Sequence, residues 1–153
     1  MPRLILAAAL GAISAFGFAA PRAHTAPGDA CSLLTPAQIK SATGADVIPG
    51  VAGSPKLCQW NASMAPTAVV NFVTLVLQDP NFFANGKNVP APAIVTPVSG
   101  VGDDAYFVAV RDQVGLVVKK GSSAFKVAVY AKLPNDQKET MEKKLAMQIA
   151  SQL

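Results

Sequence analysis

Histidine-based catalysis is nearly excluded by composition, because the 153 residues include a single histidine, His24. His24 lies beside the signal-peptide cleavage points considered below, so we place it in a tail. A Ser-His-Asp triad or a Cys-His pair in the folded region then has no base, and a multi-histidine metal site has no ligands. An enzyme made from this chain would have to use Asp, Glu, Lys or Tyr alone. We therefore predict a protein that is not an enzyme, with no catalytic residue, no metal site and no cofactor.

Asp103 and Asp104 are adjacent carboxylates that could serve as an acid–base pair or as calcium ligands. Adjacent residues that enter a strand point to opposite faces, so these two cannot easily share a proton or a substrate. The preceding Gly100-x-Gly102 is followed by neither a third glycine nor a Gly-Lys-Ser/Thr segment, as a phosphate-binding loop would require. We predict a turn over residues 100–103.

The two cysteines, Cys31 and Cys58, have three open readings: a disulfide, two free thiols or a two-cysteine metal site. Their wide spacing and the lack of a nearby histidine argue against the metal. In an exported chain, two cysteines most simply form one bridge. We predict a Cys31–Cys58 disulfide.

The N-terminus is typical of a secretory signal peptide. Met1-Pro2-Arg3 is a short basic start, an uncharged run follows from Leu4 to Ala20, and small residues precede Pro21. Cleavage could follow Ala19, Ala20 or Ala26, and the alternative is an uncleaved anchor, for which the run is short. We predict a signal peptide at 1–20, a flexible lead-in at 21–30 and a single α+β domain at 31–153. The mature protein is then periplasmic or extracellular, with no transmembrane segment after cleavage.

The overall composition fits one folded domain. Apolar residues make up 51% of the chain and charged residues 14%, which is far from a disordered composition. The net charge of +4 comes from 13 basic and 9 acidic residues. This excess is too mild to indicate nucleic-acid binding.

The sequence predicts a helix at each end of the domain. Thr35 is a suitable N-cap before Pro36, and Gly44 supplies a stop, which predicts a short helix from Pro36 to Thr43. A longer C-terminal helix is predicted after Pro134-Asn135-Asp136, because Met141, Leu145 and Ile149 recur every four residues.

The segment between the helices is rich in strand signals. The predicted fold is α+β, an antiparallel sheet of about five to six strands with a short N-terminal helix and a longer C-terminal helix. The predicted strands are Ala45–Ile48, Leu57–Asn61, Ala68–Gln78, Ala105–Val110, Val114–Lys119 and Ala124–Lys132. Residues 79–100 contain four prolines and are predicted to form a long connection of functional interest.

Two surfaces are candidates for binding. Phe82 and Phe83 could anchor a helical turn within the 79–100 connection, and Lys126, Tyr130 and Lys132 share the exposed face of a strand. The lysines would suit an acidic partner, which could be an envelope polymer, an anionic surface or a protein. The alternative is an ordinary solvated surface.

Three segments resemble motifs of known proteins: Cys-Ser-Leu-Leu-Thr-Pro-Ala-Gln-Ile at 31–39, Cys-Gln-Trp at 58–60 and Gly-Val-Gly-Asp-Asp-Ala-Tyr-Phe at 100–107. Together they resemble small exported bacterial proteins of unknown function, in which Cys-x-Leu-Leu-Thr opens a helix and a second cysteine precedes an aromatic residue. The chain departs from the lipoprotein members in lacking a lipidation signal before Cys31. The resemblance implies compartment and fold, with no activity to transfer.

From these observations we expect a non-catalytic binding or accessory protein of the cell envelope. The alternative within binding is an inhibitor of an extracytoplasmic enzyme, which would present the 79–100 connection to a cleft. The third hypothesis, from another functional class, is an enzyme that works without histidine.

Overall fold

The computed structural model describes residues 28–63 and 68–153. The predicted signal peptide and His24 lie outside the described residues, as does the lead-in up to residue 27. Within the described part, Asp29 caps a 3-10 turn at Ala30–Ser32, and the Ala30 amide donates to the Pro55 carbonyl at 2.8 Å. Asp29 and Ala30, which were predicted as part of the flexible lead-in, are therefore held in the fold.

The described residues form three α-helices and seven strands. In chain order these are α1 (Pro36–Thr43), β1 (Val51–Ser54), β2 (Leu57–Asn61), β3 (Val70–Gln78), α2 (Pro80–Asn85), β4 (Ile94–Val98), β5 (Asp104–Val110), β6 (Gln113–Lys120), β7 (Ser123–Ala131) and α3 (Asn135–Ala150). A second 3-10 turn, Gly86–Asn88, follows α2.

All seven strands belong to one open antiparallel sheet, in the order β1-β2-β3-β7-β6-β5-β4. The predicted α+β class is confirmed, but the predicted count of five to six strands is wrong. The edge strands β1 and β4 were not predicted, and the predicted strand Ala45–Ile48 contributes only an isolated bridge from Val47 to Ala62. All four residues of β1 are exposed, so no buried face left an alternating pattern in its sequence.

The predicted start and end of α1 are confirmed in atomic detail. The Thr35 hydroxyl accepts from the Gln38 amide at 3.3 Å, while the Gln38 side chain accepts from the Thr35 amide at 2.8 Å. This reciprocal pair is a capping box. Gly44 then ends the helix at φ +75°, a conformation that costs glycine little.

One face of the sheet is covered by α1 and α3, and the main core lies between them and the strands. Trp60, Leu75, Leu116 and Phe125 are fully buried on the strand side. The Cys31–Cys58 disulfide, with its Cα atoms 5.0 Å apart, joins the first 3-10 turn to β2 at one end of this core. The predicted bridge is confirmed.

The opposite face is covered at one end only, by α2. Phe83 and Tyr106 pack there with Val117 and Ala124, and the Tyr106 hydroxyl donates to the Phe83 carbonyl at 2.8 Å. The predicted 79–100 connection is therefore largely regular structure, consisting of α2, a 3-10 turn and β4. The prolines did not prevent this, because Pro80 occupies the first turn of a helix and Pro97 lies in an edge strand.

Residues 100–103, which were predicted to form a turn, form a bend in which Gly100 and Gly102 adopt φ values of +80° and +60°. Asp103 accepts hydrogen bonds from the Gly121 amide at 2.7 Å and from Lys120 at 3.0 Å. These contacts, the amide first, lower the pKa of Asp103. Asp104 instead accepts from Lys87 at 2.5 Å, so the two neighbouring carboxylates have different partners. Across the described residues, no helix combines the length and apolar character needed to cross a membrane.

Candidate functional site

The sheet contains an internal gap between β6 and β7. Their ladder ends at the pair Leu116 and Val127, although β6 starts earlier and β7 ends later. On their outer sides both strands stay paired, residues 113–115 with β5 and residues 128–131 with β3. Gly115 and Ala128 are still side by side, since a Cβ on Gly115 would lie 3.5 Å from the Ala128 Cβ. We call the space beyond them, between residues 112–114 and 129–131, the strand gap.

Side chains of α3 take over the backbone hydrogen bonds that the gap interrupts. Continuing the ladder would place Val114 opposite Val129, and Asp112 opposite Ala131. Instead, the Val129 amide donates to Glu142 Oε1 at 2.8 Å, and Lys138 Nζ donates to the Asp112 carbonyl. The carboxyl of Glu142 and the ammonium of Lys138 therefore replace strand partners at this point.

The hairpin turn beyond the gap is held in the same way. Arg111 adopts φ +53°, which is unusual for a residue other than glycine. Its carbonyl accepts a hydrogen bond from Asn135 Nδ2 at 3.1 Å. The first turns of α3 thus fix the position of this hairpin relative to β7.

Both charged residues at the gap are withdrawn from water. Lys138 is 2% exposed and Glu142 is fully buried. Burial raises the pKa of Glu142 to about 8. The hydrogen bond from Val129 and the positive charges of Lys126 and Lys138 oppose this shift without cancelling it. The Glu142 carboxyl is therefore largely protonated at neutral pH.

Neither side chain is fully satisfied by its neighbours. Glu142 Oε2 has no hydrogen-bond partner among the described residues. All nine acidic residues of the sequence are among the described residues, and none of their carboxylate oxygens lies within 4.0 Å of Lys138 Nζ. Among the described residues, the buried Lys138 ammonium therefore has the Asp112 carbonyl as its acceptor and no carboxylate counter-ion.

A cleft of about 390 Å³ opens into the strand gap. Lys138 lines it from the α3 side, Gln113 and Val114 form one wall, and Tyr130 with Phe72 forms the other. Its size is at the lower end of the range for ligand pockets, about 300–1,000 Å³. This is enough for a small ligand or for the end of a longer one.

The cleft continues onto the part of the sheet that α2 leaves uncovered. We call this the open sheet face, and its members are half-buried side chains on neighbouring strands: Gln59, Asn61, Phe72, Thr74, Lys126 and Tyr130. The Phe72 and Tyr130 rings stack with centroids 4.2 Å apart. Gln59 donates to Asn61 at 2.7 Å. The stem of Lys126 lies across Gly115 of β6, where the missing side chain leaves room.

The structure brings only part of the predicted binding surface together. Lys126 and Tyr130 lie on the open sheet face, and Lys132 follows β7 with an exposed side chain. Phe82 is 68% exposed on α2, whereas Phe83 is 4% exposed. Phe83 was predicted as part of a surface, but it packs between α2 and the sheet against Tyr106, Val117 and Ala124.

Sequence reasoning missed most residues of the site, among them Phe72, Gln113, Lys138 and Glu142. A signal for two of them was present. Lys138 and Glu142 fall at helical spacing before Leu145 and Ile149, so they lie on the apolar stripe of α3. Charged residues on such a stripe indicate buried polar contacts.

Within the described ranges, no group of three or more His, Cys, Asp or Glu residues could hold a metal ion. Comparison of the chain with protein-family models, curated proteins and solved structures finds no match. The interpretation of the site therefore rests on its own geometry.

Proposed function

We propose that the chain is an exported, non-catalytic binding protein of the cell envelope that holds an anionic partner on the open sheet face. The observation that carries this proposal is that Lys126 lies on the same uncovered sheet face as the stacked pair Phe72 and Tyr130. An ammonium, two aromatic rings and the amides of Gln59 and Asn61 then share one uncovered surface. Such a surface can bind charge, ring faces and hydroxyl or amide groups together.

Export is supported by the predicted signal peptide and by the disulfide. Disulfides persist in oxidising compartments, and the Cys31–Cys58 bridge would be unusual in a reducing cytosol. The resemblance of residues 31–39, 58–60 and 100–107 to small exported bacterial proteins agrees with this compartment. We place the mature protein in the periplasm or outside the cell.

The alternative function, inhibition of an extracytoplasmic enzyme, would use the 79–100 segment. Regular structure takes up residues 80–88 and 94–98 of that segment, the exposed irregular stretch between them is 89–92, and Phe82 on α2 is also exposed. The open sheet face offers more convergent polar groups, so we favour direct binding of an envelope component.

The proposal is tested by co-sedimentation with bacterial cell walls stripped of protein. A Lys126→Gln and Lys132→Gln double variant should bind several-fold more weakly than the wild type, and the wild-type binding should weaken with added salt. The matched control is Lys143→Gln with Lys144→Gln, which removes the same charge from α3 on the opposite side of the sheet. Equal binding by the two double variants, or no binding by the wild type, would contradict the proposal.

A further inference from the structure

The strand gap presents two free strand edges in the middle of a sheet. Residues 113–114 and 129–131 are paired on their outer sides only, and α3 occupies two of the groups that border the gap. An extended peptide is the ligand whose backbone matches such an edge. At about 3.3 Å per residue, an edge of three residues spans about 10 Å, which suits a short peptide segment.

One end of the gap carries a buried cation. An ammonium has three N–H donors, and the Asp112 carbonyl is the acceptor that the described residues provide for Lys138. Burying a charge without an opposite partner is costly, and an anionic ligand group would offset that cost. A carboxylate supplies both the charge and the missing acceptors.

Glu142 favours the same ligand group. It lies one helical turn from Lys138, and its Oε2 has no partner among the described residues. The charged groups around it are Lys126 on β7 and Lys138 and Glu139 on α3. Because its carboxyl is largely protonated at neutral pH, it can donate a hydrogen bond and does not repel an incoming carboxylate.

We propose that the strand gap binds the C-terminal end of an extended peptide, with the terminal carboxylate on Lys138 and the peptide backbone along a free edge of β6 or β7. This inference rests on the proposed binding function and names the chemical group that enters the cleft. The aromatic pair at the cleft wall would contact the side chains of the bound segment.

The test compares two ligands against three proteins by calorimetry. The ligands are N-acetyl-Val-Thr-Val with a free carboxylate and the same tripeptide with a C-terminal amide, since these residues favour an extended backbone. The proteins are the wild type, Lys138→Gln and Lys144→Gln. Glutamine keeps a donor for the Asp112 carbonyl while it removes the charge, and Lys144 is an exposed lysine of the same helix.

The wild type and Lys144→Gln should bind the acid about tenfold more tightly than the amide. In Lys138→Gln this ratio should fall close to one. Equal affinity of the wild type for acid and amide, or no binding of the acid at millimolar concentration, would overturn the inference. Because the comparison of the two ligands uses the unaltered protein, a folding defect of the variant cannot hide the answer.

The two proposals fail separately. Loss of cell-wall binding in the Lys126 and Lys132 variant would support the open sheet face even if the tripeptide acid and amide bound equally. Preference for the acid would support the strand gap even if cell walls did not retain the protein.

Discussion

At the scale of single residues, Glu142 makes the stability of the protein depend on pH. Its native pKa is raised from 4.5 to about 8 by burial. Between these values the native state keeps a proton that the unfolded chain has released. The contribution of this group is fully present below pH 4.5 and is lost as the pH rises through about 8.

We predict that Glu142→Gln flattens this dependence. Glutamine keeps an acceptor for the Val129 amide but cannot ionise, so the free energy of unfolding should lose less between pH 5 and pH 8 than in the wild type. For the wild type, linkage allows a fall of up to about 1.4 kcal/mol per pH unit. Urea unfolding at several pH values measures the slope.

The control for that series is Glu139→Gln, which removes a neighbouring carboxylate on α3. Its pH slope should match that of the wild type. A wild-type slope that Glu142→Gln leaves unchanged would show that Glu142 is ionised in the folded protein, and the assignment of a protonated carboxyl at the strand gap would be wrong.

The residue pattern of α3 shows which side-chain positions could be predicted from the sequence and which contacts could not. The spacing of Leu145 and Ile149 correctly predicted the buried face of the helix, because apolar periodicity reports burial directly. Lys138 and Glu142 occupy the same face but satisfy backbone groups of strands that lie elsewhere in the sequence. No local rule connects a helix position to a specific carbonyl of a hairpin.

At the scale of elements, α2 is held to the sheet by one buried tyrosine. The Tyr106 hydroxyl donates to the Phe83 carbonyl at 2.8 Å, its ring packs at 5.0 Å from the Phe83 ring, and the side chain is 2% exposed. Removing the hydroxyl leaves that carbonyl buried without its donor.

We predict that Tyr106→Phe lowers the free energy of unfolding by about 1–2 kcal/mol. The matched control is Tyr130→Phe, because the described residues give the half-buried Tyr130 hydroxyl no hydrogen-bond partner while its ring stacking is retained. Tyr130→Phe should change the stability by less than half as much. Similar effects of the two variants on urea unfolding would show that the Tyr106 hydrogen bond does not anchor α2.

Elements with strong local signals were predicted, and the exposed edge strands were not. The capping box predicted α1, and close turns with alternating apolar residues predicted β5, β6 and β7. Strand β4 pairs with the strand that follows it, but it was missed because most of its side chains are exposed and it follows a proline-rich stretch. The strand gap was missed for a different reason, since two predicted neighbouring strands are expected to pair along their full length.

At the scale of the whole molecule, the two faces of the sheet differ in how far helices cover them. Helices α1 and α3, together with the Cys31–Cys58 disulfide, close one face into a core. On the other face α2 covers one end only, so the stacked aromatic pair and the mouth of the strand gap stay accessible. The sequence predicted Lys126 and Tyr130 on one exposed strand face, but the placement of Tyr130 beside Phe72 depends on the pairing of β3 with β7.

Ligand contacts should concentrate at this uncovered end of the sheet. The most direct test is a map of backbone amide chemical shifts of the isotope-labelled wild-type protein during titration with N-acetyl-Val-Thr-Val acid. The predicted result is a cluster of shifting amides at residues 112–115 and 129–131, together with Phe72. Shifts centred on α1 or on the β1 edge, or no shifts at millimolar peptide, would contradict the account.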